Sequence, residues 1–448
     1  MDVDTALIQR HRRCAPHYDI YPASDWFVEA FDATALDATL AASAALGPMR
    51  AAIDLRLPAP GSAWAPRAWR ELPALLGRDI ALHAARLAAG GARRATPVDE
   101  VHLTWHDAPH GSGDLSRVLD PALPLTLLRD HFDVSPHAHC SVTVSASGRR
   151  PGAVHALRAQ GFQRIEIRDD GKVCGQADGT ARVRSWVHTA RTMHFSSIGA
   201  GFVYGASGQT SGTVRDTLGA LLDTGPTYVV LCHADDHRRG FRPVIDRSRS
   251  DRSTVETMSL LVCAARVLAA AGYRCIGQDL YARTDDPLAV AHRQGRLLRK
   301  SHGASLRPVS LVLGIGPGAI GTVGNAYYQN HGEAPHYRDA LMASQLPVKR
   351  GTFLGALDMA RRAIIQALVT DLFVDLAAIE NTHRIDFASS FAEEVGTLRA
   401  FEDAGLLLFD DTMIELTDAG RLIAGSIAMV FDDPLNQARL RMPLPGPL

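Results

Sequence analysis

His102, His106, Asp107 and His110 are the residues whose types and spacing most suggest chemistry. Imidazole and carboxylate donors suit zinc or another divalent ion, and a lone histidine can serve as an axial ligand to haem iron. This spacing matches no established zinc motif, and Gly, Ser and Pro neighbours equally suit solvent-exposed histidines; His106 and His110 stand as the metal candidates. His137 and His139 alternate beside Cys140 as at the start of a strand, and His233 follows a strand-like run with either a substrate-facing or a structural reading open. Arg238, Arg239, Arg242, Arg247, Arg249 and Arg252 form a basic stretch that suits bidentate carboxylate partners or a solvated loop. Gly314, Gly316, Gly318 and Gly321 resemble a phosphate loop, but no Lys-Ser/Thr pair follows and Pro317 removes an amide. The six cysteines, Cys14, Cys140, Cys174, Cys232, Cys263 and Cys275, form no CxxC pair. No Ser/His/Asp order, Walker loop or paired-carboxylate signal stands above background.

The elements that must position these residues read as parallel β/α units between Met49 and Gly324. The expected strands are Ala51–Leu55, Glu100–Leu103, Ser141–Ser145, Arg164–Ile167, Gly199–Tyr204, Tyr228–Cys232 and Arg274–Gln278. The expected helices include Ala68–Leu76, weakened by Pro73, and Ala81–Ala89, then Leu115–Leu119, Val154–Gln160, Val214–Leu222 and Thr254–Ala271. Such units make a partial β/α barrel. An N-terminal arm occupies 1–48, the barrel 49–326, and a helical, winged-helix-like unit 327–448. In that last unit a helix spans Phe353–Val374, shorter helices follow at Leu376–Arg384 and Phe391–Ala404, and Leu406–Phe409 with Met413–Leu416 makes a hairpin before a helix capped by Thr417.

With 448 residues, 46% hydrophobic and 21% charged, the chain has ample material for a core, and two or three domains fit its length. A net charge of −1, and acidic Glu402, Asp410, Asp411 and Glu415 near the hairpin, argue against nucleic-acid binding. Only three lysines are present (Lys172, Lys300 and Lys349), so the cations are nearly all arginine. No apolar run reaches the ~20 residues of a membrane span, and no leader pattern opens the chain. A cytoplasmic protein with reduced thiols and no membrane association is expected.

Several collinear stretches carry a resemblance. Tyr18–Ala23 reads Y-D-I-Y-P-A, Gly277–Val290 reads G-Q-D-L-Y-A-R-T-D-D-P-L-A-V, Leu313–Ile320 reads L-G-I-G-P-G-A-I and Tyr327–Asn330 reads Y-Y-Q-N. Together with Asp4–Gln9 and Thr417–Ile423 they are similar to the oxygen-independent coproporphyrinogen III oxidase family of radical S-adenosylmethionine proteins. The resemblance implies an α/β fold, a partial barrel of radical SAM type with an N-terminal arm and a helical C-terminal domain bearing a small β-hairpin. It also implies a [4Fe–4S] cluster held by C-x3-C-x2-C, with S-adenosylmethionine as co-substrate.

The cofactor motifs depart from that pattern. In register with the family's I-P-F-C-x3-C-x2-C, the cysteine positions fall on Pro60, Trp64 and Arg67, and no cysteine lies between Cys14 and Cys140. The family's W-G-G-G-T-P becomes Trp105-His106-Asp107-Ala108-Pro109, an acidic residue becomes Thr143, a glutamine becomes Asp170, and an aspartate becomes Gly201. Tyr204 and Gly205 are kept; with His233, Asp279, Tyr281 and Ile320 they are the expected residual ligand pocket. The expectation is a catalytically degenerate relative that binds a tetrapyrrole or haem, or a haem-pathway protein, without cluster or S-adenosylmethionine. Coproporphyrinogen III dehydrogenation and a non-enzymatic scaffold or regulator are the alternatives.

Overall fold

β-Branched and leucine-rich runs alternate with amphipathic segments from Ala51 onward, and this alternation is what the tertiary structure turns into a sheet covered by helices. A computed structural model describes residues 5–12, 18–45, 49–58, 64–89, 96–105, 123–146, 153–169, 177–234, 254–301, 303–309 and 311–433. Its strands are β1 (Ala51–Arg56), β2 (Pro97–Trp105), β3 (Asp133–Ser145), β4 (Arg164–Arg168), β5 (Ser197–Tyr204), β6 (Tyr228–His233), β7 (Arg274–Cys275) and β8 (Leu280–Ala282). They continue with β9 (Leu298–Lys300), β10 (Gly303–Ser305), β11 (Leu311–Ile315), β12 (Ile320–Val323), β13 (Ala326–Asn330) and β14 (Val348–Phe353). Twelve of these form one sheet in the order β14-β13-β12-β11-β1-β2-β3-β4-β5-β6-β8-β7. From β11 through β6 every neighbouring pair is parallel, and the flanking pairs are antiparallel. This is the expected α/β architecture, with the sheet running on to Phe353.

Two expectations about elements are corrected. The segments Ala68–Leu76 and Ala81–Ala89 are one helix, Pro66–Ala89, which passes through Pro73. Proline deletes one helical hydrogen bond, but Trp69, Leu72, Leu76, Ile80 and Leu87 bury one continuous face that outweighs the loss. The long C-terminal helix is Ala356–Thr370 rather than Phe353–Val374. Leu372 at φ +61° turns the chain, and β15 (Phe373–Asp375) joins β16 (Leu407–Phe409) and β17 (Met413–Leu416) in a three-stranded sheet, order β15-β17-β16. Helices Leu376–His383 and Ala392–Asp403 form where expected, and the Thr417 hydroxyl accepts from the Gly420 amide as a cap. The helices Leu123–His131, Ala177–Thr192 and Ala334–Met342 were not expected. The expected helix Leu115–Leu119 lies outside the described residues. Among the described residues no helix is long and apolar enough to cross a membrane.

Candidate functional site

Parallel register carries polar residues across one face of the sheet in rungs. One rung runs Gly314, Asp54, His102, Ser141, Arg164, Ser197. The next, two residues on, runs Arg56, Thr104, Thr143, Glu166, Gly199, Tyr228. Further on, Ser145 lies opposite Arg168, and Gly201 opposite Val230. Residues between these, such as Ile53, Leu55, Val101, Leu103, Val142, Ile165 and Ile167, are buried on the other face. A parallel sheet covered on both faces is ordinarily apolar throughout, so this mostly buried polar face marks side chains that pair with one another or with a polar ligand. The signal was present in the sequence as alternation, Arg-Ile-Glu-Ile-Arg at 164–168 being its clearest instance; His102, Thr143, Gly201 and Gly314 were singled out for other reasons, and Asp54, Arg164, Glu166, Arg168 and Tyr228 were not.

The hairpin β9–β10 closes one end of this surface. The Lys300 ammonium lies 2.7 Å from Glu100 Oε2, Ser305 Oγ donates to the same oxygen, and Arg164 Nη2 donates to the Ala304 carbonyl at 2.6 Å. Ser301 Oγ donates to Asp54 Oδ2 at 2.9 Å, where Arg56 also pairs at 3.1 Å. Burial lowers the Lys300 pKa while Glu100 opposes that shift. At the carboxyl ends of the strands the surface opens: the Glu166 side chain is 16% exposed and that of Arg168 44%. Burial alone would raise the Glu166 pKa, but Arg168, 2.5 Å away, holds the carboxyl below its ordinary value. Burial, with Glu166 beside it, pushes the Tyr228 phenol well above its usual range. Gly199 is required here because a side chain would collide with the Tyr228 ring. The open end therefore presents Arg168, Thr143 and Thr104, the carboxyl-end position at which ligands meet parallel α/β sheets.

Of the residues expected to form a residual pocket, Tyr204, Gly205 and His233 come together. The Tyr204 and His233 rings meet edge-on at 5.3 Å, Gly205 lies against the His233 ring, and Arg12 reaches the Tyr204 hydroxyl at 3.5 Å. Tyr204, His233 and Tyr281 alternate with the inward-facing positions and so project on the helix-covered side of the sheet. Asp279 sits at φ +60° in the turn before β8, and its carbonyl accepts from Leu231. In the same turn Gln278 N donates to Val369 O of the Ala356–Thr370 helix, so this stretch seats the sheet on the C-terminal helices. Asp286 caps the following helix and accepts from Ser197 and Thr227. Ile320 packs with Phe27, Tyr327 and Leu354, far along the sheet from β5 and β6. His102 is buried, with Nδ1 2.9 Å from Ser141 Oγ and Nε2 3.3 Å from Thr143 Oγ1, so both ring nitrogens are engaged. His106, Asp107, His110, Pro60, Asp170 and the arginines from 238 to 252 lie outside the described residues.

The glycine-rich run spends its amides within the protein. Gly314 N donates to Tyr328 Oη, Gly316 N to Asp79 Oδ2 and Gly318 N to the His331 carbonyl. Asp79 Oδ2 also accepts from Tyr337 Oη at 2.7 Å, and His83 Nε2 lies 3.2 Å from Tyr328 Oη. Beside this network stands Trp64, 3% exposed, its Nε1 donating to Gly332 O at 2.8 Å and its ring against Trp69 and Tyr337. Arg67 is exposed and pairs with Glu71 at 3.2 Å. The described cysteines are dispersed, Cys140 on β3, Cys232 on β6, Cys263 in the Thr254–Ala270 helix and Cys275 on β7. One cluster the sequence reading missed follows β13: donor atoms of His331, Glu333 and His336 all lie within 4.8 Å of one another.

Comparison with known proteins agrees with this architecture. The solved structure of coproporphyrinogen III oxidase (HemN) from Escherichia coli, a radical SAM enzyme, superposes with a TM-score of 0.78 over 97% of this chain and 99% of that one, at 24% identity. Residues 354–423 match the family model of the HemN C-terminal domain. The chain is 31% identical over 283 residues to the oxygen-independent coproporphyrinogen III oxidase of Pseudomonas aeruginosa, a match spanning 62% of each chain. It is 30% identical over 261 residues to the protein of that name from Thermostichus vulcanus, covering 57% of this chain and 78% of the relative. The chain belongs to the oxygen-independent coproporphyrinogen III oxidase family. Within this fold the Trp64 indole is buried, Arg67 is exposed, and the Thr143 hydroxyl lies 3.3 Å from His102 Nε2.

Proposed function

We propose that this chain is a non-radical member of its family that binds a carboxylate-bearing tetrapyrrole at the open end of its polar sheet face. The observation that carries the reading is Trp64. At the position aligned with a cluster thiolate the protein places a buried indole, hydrogen-bonded to Gly332 and packed between Trp69 and Tyr337. Indole and guanidinium offer no thiolate to iron, so a C-x3-C-x2-C cluster does not fit Trp64 and Arg67, and no cysteine from 15 to 139 replaces them. The relatives named above are coproporphyrinogen III oxidases, which supports a tetrapyrrole as the ligand class. Arg168, half exposed at the mouth, supplies a guanidinium suited to a propionate.

Coproporphyrin III and haem, titrated separately into the full chain and followed by absorbance, test the proposal. Saturable binding of one equivalent of coproporphyrin, weakened in Arg168→Ala, is the expected result. Anaerobic treatment with iron and sulfide should leave no stoichiometric cluster. The absence of saturable tetrapyrrole binding overturns the binding half of the proposal. A stoichiometric cluster that releases 5′-deoxyadenosine from S-adenosylmethionine overturns the other half and restores the activity of the relatives.

A further inference from the structure

We propose that His331, Glu333 and His336 form a site for a first-row divalent cation, with Zn²⁺ as its simplest occupant. Two imidazoles and a carboxylate make a donor set that suits zinc, cobalt, nickel or copper. Their donor atoms lie within 4.8 Å of one another, and the two rings face each other at 28° with centroids 5.4 Å apart. Side-chain rotation closes that spread to the ~3.3 Å between donors of a tetrahedral ion with bonds of about 2.0 Å. Glu333 and His336 are exposed and His331 half-buried, which leaves room for water to complete the coordination.

The backbone beneath these donors is held in place. His331 N donates to Pro347 O at 2.8 Å, and His331 O accepts from Gly318 N at 3.1 Å. Glu333 is the N-cap of the Ala334–Met342 helix, whose first turn carries His336. Trp64 Nε1 fixes the intervening Gly332 carbonyl. Fixed attachment points lower the ordering cost of gathering three ligands. The charged neighbours are Lys349, whose ammonium sits 3.2 Å from Glu333 Oε1, and Glu29, whose charge acts on His331. A bound cation replaces the Lys349 ammonium as the partner of Glu333, so Lys349 acts as a competitor.

Calorimetric titration of the tag-free full chain with Zn²⁺ alone tests the site. One equivalent is expected, with His331→Ala and His336→Ala each weakening binding by at least the ~10-fold that even an outer-sphere partner is worth. Lys349→Met should tighten binding. Cu²⁺ should quench a tryptophan component that disappears in Trp64→Phe, which places the ion beside Gly332. No saturable Zn²⁺ binding by the wild type overturns the proposal, and so does unchanged affinity in both histidine variants, which locates any bound ion elsewhere. Circular dichroism of each variant separates loss of a ligand from loss of the fold, and the exposed His336→Gln variant is decisive if His331→Ala does not fold. None of these readouts involves a tetrapyrrole, so this site stands or falls independently of the function proposed above.

Discussion

Replacing Trp64 by alanine should destabilise the fold severely, and the structure sets the scale. The side chain is 3% exposed, its ring lies 6.4 Å from that of Trp69 and 6.1 Å from that of Tyr337, and its Nε1 is bonded to Gly332 O at 2.8 Å. Truncating a buried aromatic to alanine costs about 3–5 kcal/mol. Trp64→Phe keeps an aromatic ring but removes the donor and some ring volume, and the unpaired Gly332 carbonyl costs about 1–2 kcal/mol of that. At the middle of these ranges, about 4 against about 1.5 kcal/mol, roughly half or more of the alanine effect should persist when Trp64→Phe is the reference. Urea unfolding followed by far-ultraviolet circular dichroism, with the slope m held in common, reads both values without relying on the tryptophan signal. A Trp64→Ala stability within about 0.5 kcal/mol of wild type, the range of an ordinary surface substitution, would refute the claim that this indole is a packed part of the core.

Three further outcomes follow from buried groups. Lys300→Met leaves the fully buried Glu100 carboxylate without its ammonium; a loss of about 3–5 kcal/mol is expected, and adding Glu100→Gln should recover part of it in the same urea assay. Gly316→Ala forces a side chain onto a backbone at φ +96° and against the Arg56 carbonyl, so it should lower soluble yield and midpoint by more than about 2 kcal/mol. Burial pushes the Cys140 and Cys275 thiols up to about 11. At pH 8 only about a thousandth of each is then thiolate, and mass spectrometry should find both unmodified by iodoacetamide in the native protein and modified in urea.

Local pattern carried much of the fold. The expected strands overlap β1 to β6, and the hairpin at β16–β17 and its Thr417 cap formed within a residue or so of expectation. Those elements are fixed by side-chain periodicity and turn chemistry, which are local. Ala177–Thr192 escaped notice because its sequence is polar and arginine-rich, with a face that becomes apolar only where Val183, Trp186, Val187 and Ala190 meet the sheet. Pro66–Ala89 read as two helices, the first weakened by Pro73, because its continuous buried face is set by packing across the fold.

For the site, the sequence by itself carried the family and the absence of cysteine from 15 to 139, neither of which needs coordinates. It also held the alternation that makes one sheet face polar. What only the tertiary structure decided is which of those residues meet. Register placed Arg56, Thr143, Glu166 and Tyr228 in one rung that crosses six strands, β1 to β6. It also turned Tyr204, Tyr281 and His233 to the opposite side, since a one-residue step along a strand reverses the face. Trp64 and Gly332 are 268 positions apart in the chain, and only the folded sheet brings the indole beside His331, Glu333 and His336.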